Sequence, residues 1–158
     1  MSGRTVREPT WSAGLLLGIG MGGFVDGIVL HQIAQVHSML SAKVPRDSME
    51  GMKTNMLADG WFHAGTSLAT SLGLWLLWNA LTRGDTGLKP SGRAFVGALL
   101  AGWGWFSLVE GIVNHHLLGL HHVVERLGVS TWDWLFLASG VGLIVLGHRW
   151  GSRRGTAG

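Results

Sequence analysis

The segment DGIVLHQIAQVH (residues 26–37) aligns without a gap on EGIVNHHLLGLH (residues 110–121). In both copies an acidic residue precedes Gly-Ile-Val, and two histidines fall at the same two positions. The stretches that follow align more weakly, with DGWFHAG from Asp59 on DWLFLASG from Asp133. The chain therefore consists of two copies of one unit, and each copy is expected to hold two helices.

Four apolar runs carry these units and predict an all-α membrane protein. They extend from Trp11 to about Leu40, from Trp61 to about Leu81, from Ala94 to about Leu120, and from Trp132 to Gly147. A bilayer core of ~30 Å needs ~20 helical residues, and in lipid a helix pairs its own backbone polar groups. We therefore expect one transmembrane domain over residues 1–158. It is an integral membrane four-helix bundle built from two parallel helix-hairpin repeats, at about 11–82 and about 94–150, related by an axis along the membrane normal.

The composition supports a chain surrounded by lipid. Charged residues make up 13% of the 158 residues and hydrophobic residues 47%, whereas soluble domains carry ~25% charged residues. Cysteine is absent, which excludes disulfides, thiolate metal ligands and a cysteine nucleophile. The net charge is +3, but the basic residues form no single patch. The bilayer, and not nucleic acid, is therefore the expected partner.

The distribution of lysine and arginine predicts the topology. Eight of the twelve fall on one side of the expected membrane, in the N-terminal segment, the second loop and the C-terminal tail: Arg4, Arg7, Arg83, Lys89, Arg93, Arg149, Arg153 and Arg154. The positive-inside rule then places both termini in the cytoplasm. The first apolar run lacks a small-x-small cleavage site, so we expect a retained helix and not a signal peptide.

Small residues recur three or four positions apart in the expected helices. They include Gly18, Gly22, Gly23 and Gly27 in the first, Gly97, Ala101 and Gly104 in the third, and Gly140 and Gly142 in the fourth. Such faces let the backbones of neighbouring helices approach closely in a membrane.

Seven of the eight histidines lie in or at the ends of the first three expected helices, together with acidic residues. At 1.5 Å of rise per residue, all of them fall in the half of the membrane next to the first and third loops. Ionisable groups are costly in lipid and usually mark function. The candidate metal ligands are Asp26, His31, His37, Asp59, His63, Glu110, His115, His121 and His122. Ligation by His116 is left open, and His148 belongs to the opposite membrane surface.

The facing of these side chains is harder to predict than their depth. On a regular helix with 3.6 residues per turn, Asp26 and His37 lie ~20° apart, whereas His31 lies ~140° from Asp26. The same holds for Glu110, His121 and His115. Regular helices therefore give either one broad cluster or two sub-sites, and a kink at Gly27 or Gly111 would change the facing.

A metal site is the favoured interpretation of this residue set. Many imidazoles with a few carboxylates suit borderline transition metals, so we expect one or two ions, with copper or iron favoured and zinc as an alternative. Haem is a less favoured cofactor. Asp26 and Glu110 either bridge the ions or hold the histidines in orientation.

Three functions fit such a site, and whether the protein is an enzyme is left open. The first is redox chemistry or small-molecule activation by a metal-dependent membrane oxidoreductase. The second is a metal chaperone or transporter. The third is a metal-free proton-pathway or structural subunit of a larger membrane complex, and a homo-oligomer also remains open.

Two smaller features lie beside the cluster. Met39, Met49, Met52 and Met56 surround the first loop; an amphipathic interfacial helix explains them, and a thioether path for copper is the sharper alternative. Asn114 shares a face with Glu110 and is a candidate for orienting a ligand.

The motifs DGIVLH, DGWFH and EGIVNHHLLGLHH resemble a family of bacterial predicted membrane proteins known as a domain of unknown function. The resemblance covers nearly the whole chain and implies a small four-helix protein of the bacterial inner (plasma) membrane, crossing it several times. It implies no activity. A weaker similarity is to membrane di-iron desaturases and hydroxylases, whose histidine boxes also contain paired histidines, although His31 and His37 are spaced differently from those boxes.

Overall fold

A computed structural model describes residues 10–82 and 91–152. Within these two stretches the chain forms four long helices and no strand: α1 (Trp11–Phe24), α2 (Met49–Thr82), α3 (Gly92–Glu110) and α4 (Thr131–Ser152). A π-helical segment, Val25–Ile33, continues α1, and a second one, Gly111–Leu117, continues α3. A 3₁₀ turn at Glu125–Leu127 precedes α4. The prediction of an all-α four-helix protein is confirmed.

The helix boundaries differ from the apolar runs in two places. The first helical segment ends at Ile33 and not near Leu40, because the chain turns at Gln35, where φ is 52°. The second helix begins at Met49 and not at Trp61, because its first three turns are amphipathic and give no apolar run. The basic residues at 4, 7, 83, 89, 153 and 154 lie outside the described residues.

The distribution of side chains between the inside and the outside is that of a membrane protein. The buried apolar residues are almost all small, such as Ala13, Ala98 and Ala101, while large apolar residues cover the outside. Trp61 and Trp78, for example, are 73% and 68% exposed. In water this surface would be a very large apolar patch, whereas lipid solvates it. Two helical segments, Trp11–Ile33 and Gly92–Leu117, are long and apolar enough to cross a membrane.

Close contacts between small residues hold the helices together. The central helices α1 and α3 pack on each other, α2 packs on α1, and α4 packs on α3. A Cβ added to Gly14 would lie 2.7 Å from the carbonyl oxygen of Phe95, and one added to Gly140 would lie 3.0 Å from that of Gly104. The predicted small-residue faces are therefore helix interfaces, where packing and not a hydrophobic force drives association. Gly142 is the exception, because it is exposed and a Cβ added to it would meet nothing within 4 Å.

Both π-helical segments end in the same way. Ala34 N–H donates to Val29 O and Leu118 N–H to Val113 O, each five residues back. The next residues, Gln35 and Gly119, both have positive φ, at 52° and 55°. The chain thereby turns inward at the end of each central helix, at the end of the bundle where the first and third loops lie.

Candidate metal centre

The π-helical segments decide which side chains meet. A hydrogen bond to the residue five back places positions i and i+5 about one turn apart, so Asp26 and His31 share a face, as do Glu110 and His115. His31 Nε2 lies 3.2 Å from Asp26 Oδ2, and His115 Nε2 lies 3.1 Å from Glu110 Oε2. The separation of ~140° that a regular α-helix would give these positions does not occur, because the helix changes to π-helical hydrogen bonding at Val25 and Gly111.

The half of the centre formed by α1 and α2 has His31 in the middle. Its Nδ1–H donates to Asp59 Oδ1 at 2.9 Å, and its Nε2 faces Asp26. Asp59 Oδ1 also accepts from the backbone N–H of Met39 at 2.8 Å. His37 Nε2 lies 3.6 Å from Asp26 Oδ1. Asp26 therefore faces two imidazole nitrogens, while Asp59 holds one ring from behind.

The half formed by α3 and α4 repeats this arrangement. His115 Nδ1 lies 3.0 Å from Asp133 Oδ1, and its Nε2 faces Glu110. Asp133 Oδ1 accepts from the backbone N–H of Val123 at 3.1 Å. His121 Nε2 lies 2.7 Å from Glu110 Oε1. These matched contacts support the predicted repeat, while superposition of the two hairpins about an axis stays a prediction.

The two halves also exchange one hydrogen bond each. His37 Nδ1–H donates to Val123 O at 3.0 Å, and His121 Nδ1–H donates to Met39 O at 3.0 Å. Each acceptor lies two residues after the corresponding histidine of the other half. The rings of His37 and His121 stack with their centroids 4.6 Å apart and their planes 5° from parallel.

Four imidazoles thus turn Nδ1 outward to an oxygen and Nε2 inward to Asp26 or Glu110. All four histidines are at most 3% exposed: His31, His37, His115 and His121. The inner carboxylates Asp26 and Glu110 are at most 4% exposed. Nε2 of His31, His37 and His115 makes no well-aligned hydrogen bond although a carboxylate oxygen is near, and the same holds for Nδ1 of His115. One ligand atom from each of Asp26, His31, His37 and His121 lies within 4.8 Å of the others, as do those of Glu110, His115 and His121.

Several predicted ligands lie outside this inner set. Asp59 orients His31, and His122 Nδ1 lies 3.5 Å from Asp133 Oδ1. His63 donates from Nδ1 to Asp59 O, and its Nε2 is directed at Gly27, where a Cβ would lie 2.5 Å away.

Three further polar residues have other contacts. His116 stacks on Trp134 with 4.8 Å between centroids. The Asn114 amide contacts Met39 Sδ at 3.9 Å and no carboxylate. His148 packs against Trp11 at the far end of the bundle.

The sequence reasoning missed Asp133 as part of the site. The signal was present, because the alignment of DGWFHAG with DWLFLASG sets Asp133 against Asp59. It also missed the carbonyl oxygens of Met39 and Val123, which hold the two loop histidines.

Comparison with known proteins agrees with this architecture. No curated protein and no solved structure gives a significant match to the chain. A family model described as "Predicted membrane protein (DUF2243)" matches residues 13–153, which is nearly the whole chain and includes every residue of the centre. The chain therefore belongs to the DUF2243 family of predicted membrane proteins.

Proposed function

We propose that this protein is an integral membrane metal-binding protein with a two-ion histidine–carboxylate centre. One ion is held by Asp26, His31 and His37, and the other by Glu110, His115 and His121. The observation that carries the proposal is the bracketing of each imidazole, by which we mean that one ring nitrogen faces an outer oxygen and the other faces an inner carboxylate. Each Nδ1 lies against an outer oxygen, so the inward Nε2 of a neutral ring presents a lone pair to a carboxylate oxygen.

Two acceptors facing each other at about 3 Å repel unless a cation lies between them. Metal–nitrogen bonds of ~2.0–2.1 Å place neighbouring ligand atoms of one ion roughly 3 to 3.4 Å apart. The Nε2-to-carboxylate distances of 3.2, 3.1 and 2.7 Å in the centre are close to that spacing. The outer carboxylates Asp59 and Asp133 then complete the carboxylate–histidine–metal arrangement that fixes the tautomer of a ligand.

Charge balance supports the same reading. Four buried carboxylates surround the site, and within residues 10–82 and 91–152 every ion pair is between a histidine and a carboxylate, with no lysine or arginine involved. Metal cations bound in the centre would offset the negative charge of Asp26, Asp59, Glu110 and Asp133. Imidazole and carboxylate donors suit iron, copper or zinc.

The alternative is a metal-free centre that carries protons, within a larger membrane complex. It is favoured by the same bracketing, because a protonated imidazole can donate from both nitrogens. A metal-free centre needs imidazoles that are protonated at both nitrogens, whereas a metal ion accepts the inward lone pairs of neutral rings directly. We therefore place the metal centre first.

Elemental analysis of protein purified in detergent without chelators tests the proposal. We expect iron, copper or zinc at about two ions per chain in the wild type, and a large loss in the His31→Ala/His115→Ala double variant, because each ion loses the imidazole that faces Asp59 or Asp133 on its outer side. His148→Ala is the matched control, since within the described part of the chain His148 contacts Ile144 O and Trp11 at the other end of the bundle. Folded wild-type protein that contains no metal and takes up none would leave the proton-carrying centre as the function.

We also propose that α2 and α4 cross the membrane with α1 and α3, and that both termini are cytoplasmic. The centre then lies on the non-cytoplasmic side. The native chain has no cysteine, so single-cysteine labelling is unambiguous. Asp47→Cys, in the exposed first loop, should react with a membrane-impermeant maleimide added to spheroplasts, whereas Gly3→Cys should not. The reverse pattern would invert the orientation.

A further inference from the structure

A cleft of about 640 Å³ leads from the surface to the His31 half of the centre. Its lining includes His31, Asp59 and His63. The side chain of Asp59 is 12% exposed, whereas that of His31 is 0% exposed. Met52 and Met56 border it nearer the surface and are 41% and 71% exposed. The cleft therefore connects the outside with Asp59, whose carboxylate accepts a hydrogen bond from His31 Nδ1.

The donor groups of the cleft follow one stripe of α2. Met52, Met56, Asp59 and His63 are spaced four, three and four residues apart, which puts them on one helix face. At 1.5 Å of rise per residue the stripe is roughly 16 Å long. Thioether sulfurs come first, followed by a carboxylate and then an imidazole whose Nε2 is buried without a partner.

The other half of the centre has no such opening at the corresponding positions. The alignment that pairs Asp59 with Asp133 pairs Gly60 with Trp134 and His63 with Leu137. Trp134 stacks on His116, and Leu137 lies where a Cβ on Gly111 would contact it at 2.8 Å. The side chain of Asp59 is 12% exposed, whereas that of Asp133 is 0% exposed.

We propose that metal enters the centre through this cleft, and not through the smaller and mainly apolar cavity of about 350 Å³ that borders Glu110. We also propose that copper(I) is the ion that its methionines select. The inference rests on the proposed metal centre. Thioethers select copper(I) among the first-row ions. Arg46 also borders the cleft, where it donates to Gln35 O and Ser38 Oγ. The carboxylate of Asp59 in the same cleft has the opposite charge, so the selection of copper(I) rests on the methionine sulfurs and not on charge.

Gly60 is the position at which the cleft can be closed without disturbing the fold. It borders the cleft, and a Cβ built on it meets nothing within 4 Å. Gly60→Trp reproduces the residue found in the closed half. Gly65 provides the matched control, because it lies on the same exposed helix with equally open space and does not line the cleft.

The test is the rate at which metal-free, full-length protein in micelles takes up copper(I), kept reduced with ascorbate, or zinc(II). Gly60→Trp should slow both uptake rates by about tenfold or more, which corresponds to ~1.4 kcal/mol of barrier, without changing the final metal content. Gly65→Trp should load like the wild type. Met52→Leu/Met56→Leu, a change that nearly conserves volume, should slow copper(I) uptake and leave zinc(II) uptake unchanged.

Three experimental outcomes would each contradict a different part of the proposal. Wild-type protein that binds neither ion defeats the proposed function itself. Wild-type protein that binds metal, with Gly60→Trp loading at the wild-type rate, overturns the cleft as the route. Normal copper(I) uptake in the methionine variant, with slow uptake in Gly60→Trp, overturns the assignment of copper(I).

Discussion

The half of the centre around His31 and the half around His115 share their inner contacts and differ in what covers them. In each half an aromatic ring from the flanking helix packs on the buried imidazole, Phe62 on His31 at 5.6 Å and Phe136 on His115 at 5.4 Å. Outside that layer the halves diverge. One is bordered by a cleft with Gly60, and the other is covered by Trp134 stacked on His116.

This difference shows that the backbone and the side chains of the flanking helices have separate roles. The backbone places the inner histidines and carboxylates, through the π-helical hydrogen bonds at Val29 and Val113 and the inward turns that follow. Side chains of α2 and α4 determine how far these residues are covered. Access can therefore change by substitution of one or two residues while the arrangement of donors stays the same.

The strongest test of the comparison removes one inner carboxylate at a time. Asp26→Asn and Glu110→Gln keep the side-chain shape and lose the anionic ligand, so each should lose the ion of its own half and keep the other. We expect affinity in the affected half to fall by more than the ~10–100-fold typical of an orienting partner. Metal per chain, measured by elemental analysis, should drop from two to one in both variants. Loss of all metal in either variant would show one shared site in place of two.

Removal of the outer carboxylates should have a smaller effect and should distinguish the halves. Asp59→Ala and Asp133→Ala each leave an imidazole without its orienting acceptor, so metal affinity should fall ~10–100-fold in both. Asp133 also accepts from the N–H and hydroxyl of Ser130 at the start of α4. Its variant should therefore lose about 1 kcal/mol more of unfolding free energy.

Metal titration and denaturant unfolding in micelles measure these two quantities. Asp47→Ala, which removes a carboxylate from the exposed first loop, controls for the change in charge. Equal unfolding free energies for Asp59→Ala and Asp133→Ala would show that the hydrogen bonds from Ser130 to Asp133 do not stabilise the start of α4.

The smallest expected effect concerns the two inward turns. Gln35 has φ of 52°, a conformation that costs a side-chain-bearing residue roughly 1–2 kcal/mol. Gln35→Gly should relieve most of this cost and raise the unfolding free energy by up to about 1 kcal/mol, after the entropy of glycine is subtracted. Gly119→Gln should lower it by about 1–2 kcal/mol, since a Cβ there meets only Lys43 Nζ at 3.6 Å. If Gln35→Gly and Gly119→Gln changed the unfolding free energy in the same direction, the two turns would not be equivalent.

The helices and the depth of the polar cluster could be predicted from the sequence because each has a compositional signal. Apolar runs locate helices, and a histidine within such a run is conspicuous. The register of the backbone has no such signal. Nothing in the composition around Gly27 or Gly111 indicates a change from i+4 to i+5 hydrogen bonds, yet that change brings His31 to Asp26 and His115 to Glu110.

Asp133 shows a different limit of sequence reasoning. An acidic residue in the first turn of a helix is ordinary, because it interacts favourably with the helix N-terminus. Asp133 does have that role toward Ser130, and it lies 3.0 Å from His115 as well. Because the contact with the helix N-terminus is sufficient to explain an acidic residue at this position, the residue type and its place in the helix do not by themselves indicate the contact with His115. Backbone acceptors such as Met39 O and Val123 O cannot be recognised from residue types at all.

The exchanged hydrogen bonds have a consequence for biosynthesis. His37 is oriented by Val123, and His121 by Met39, so the first hairpin cannot fix its own loop histidine while the ribosome is still making the second. Even the His31 half is thus incomplete in a nascent chain that ends before residue 123. The four histidines are therefore all oriented only after translation has passed residue 123, and a product that is truncated earlier would lack the acceptor of His37.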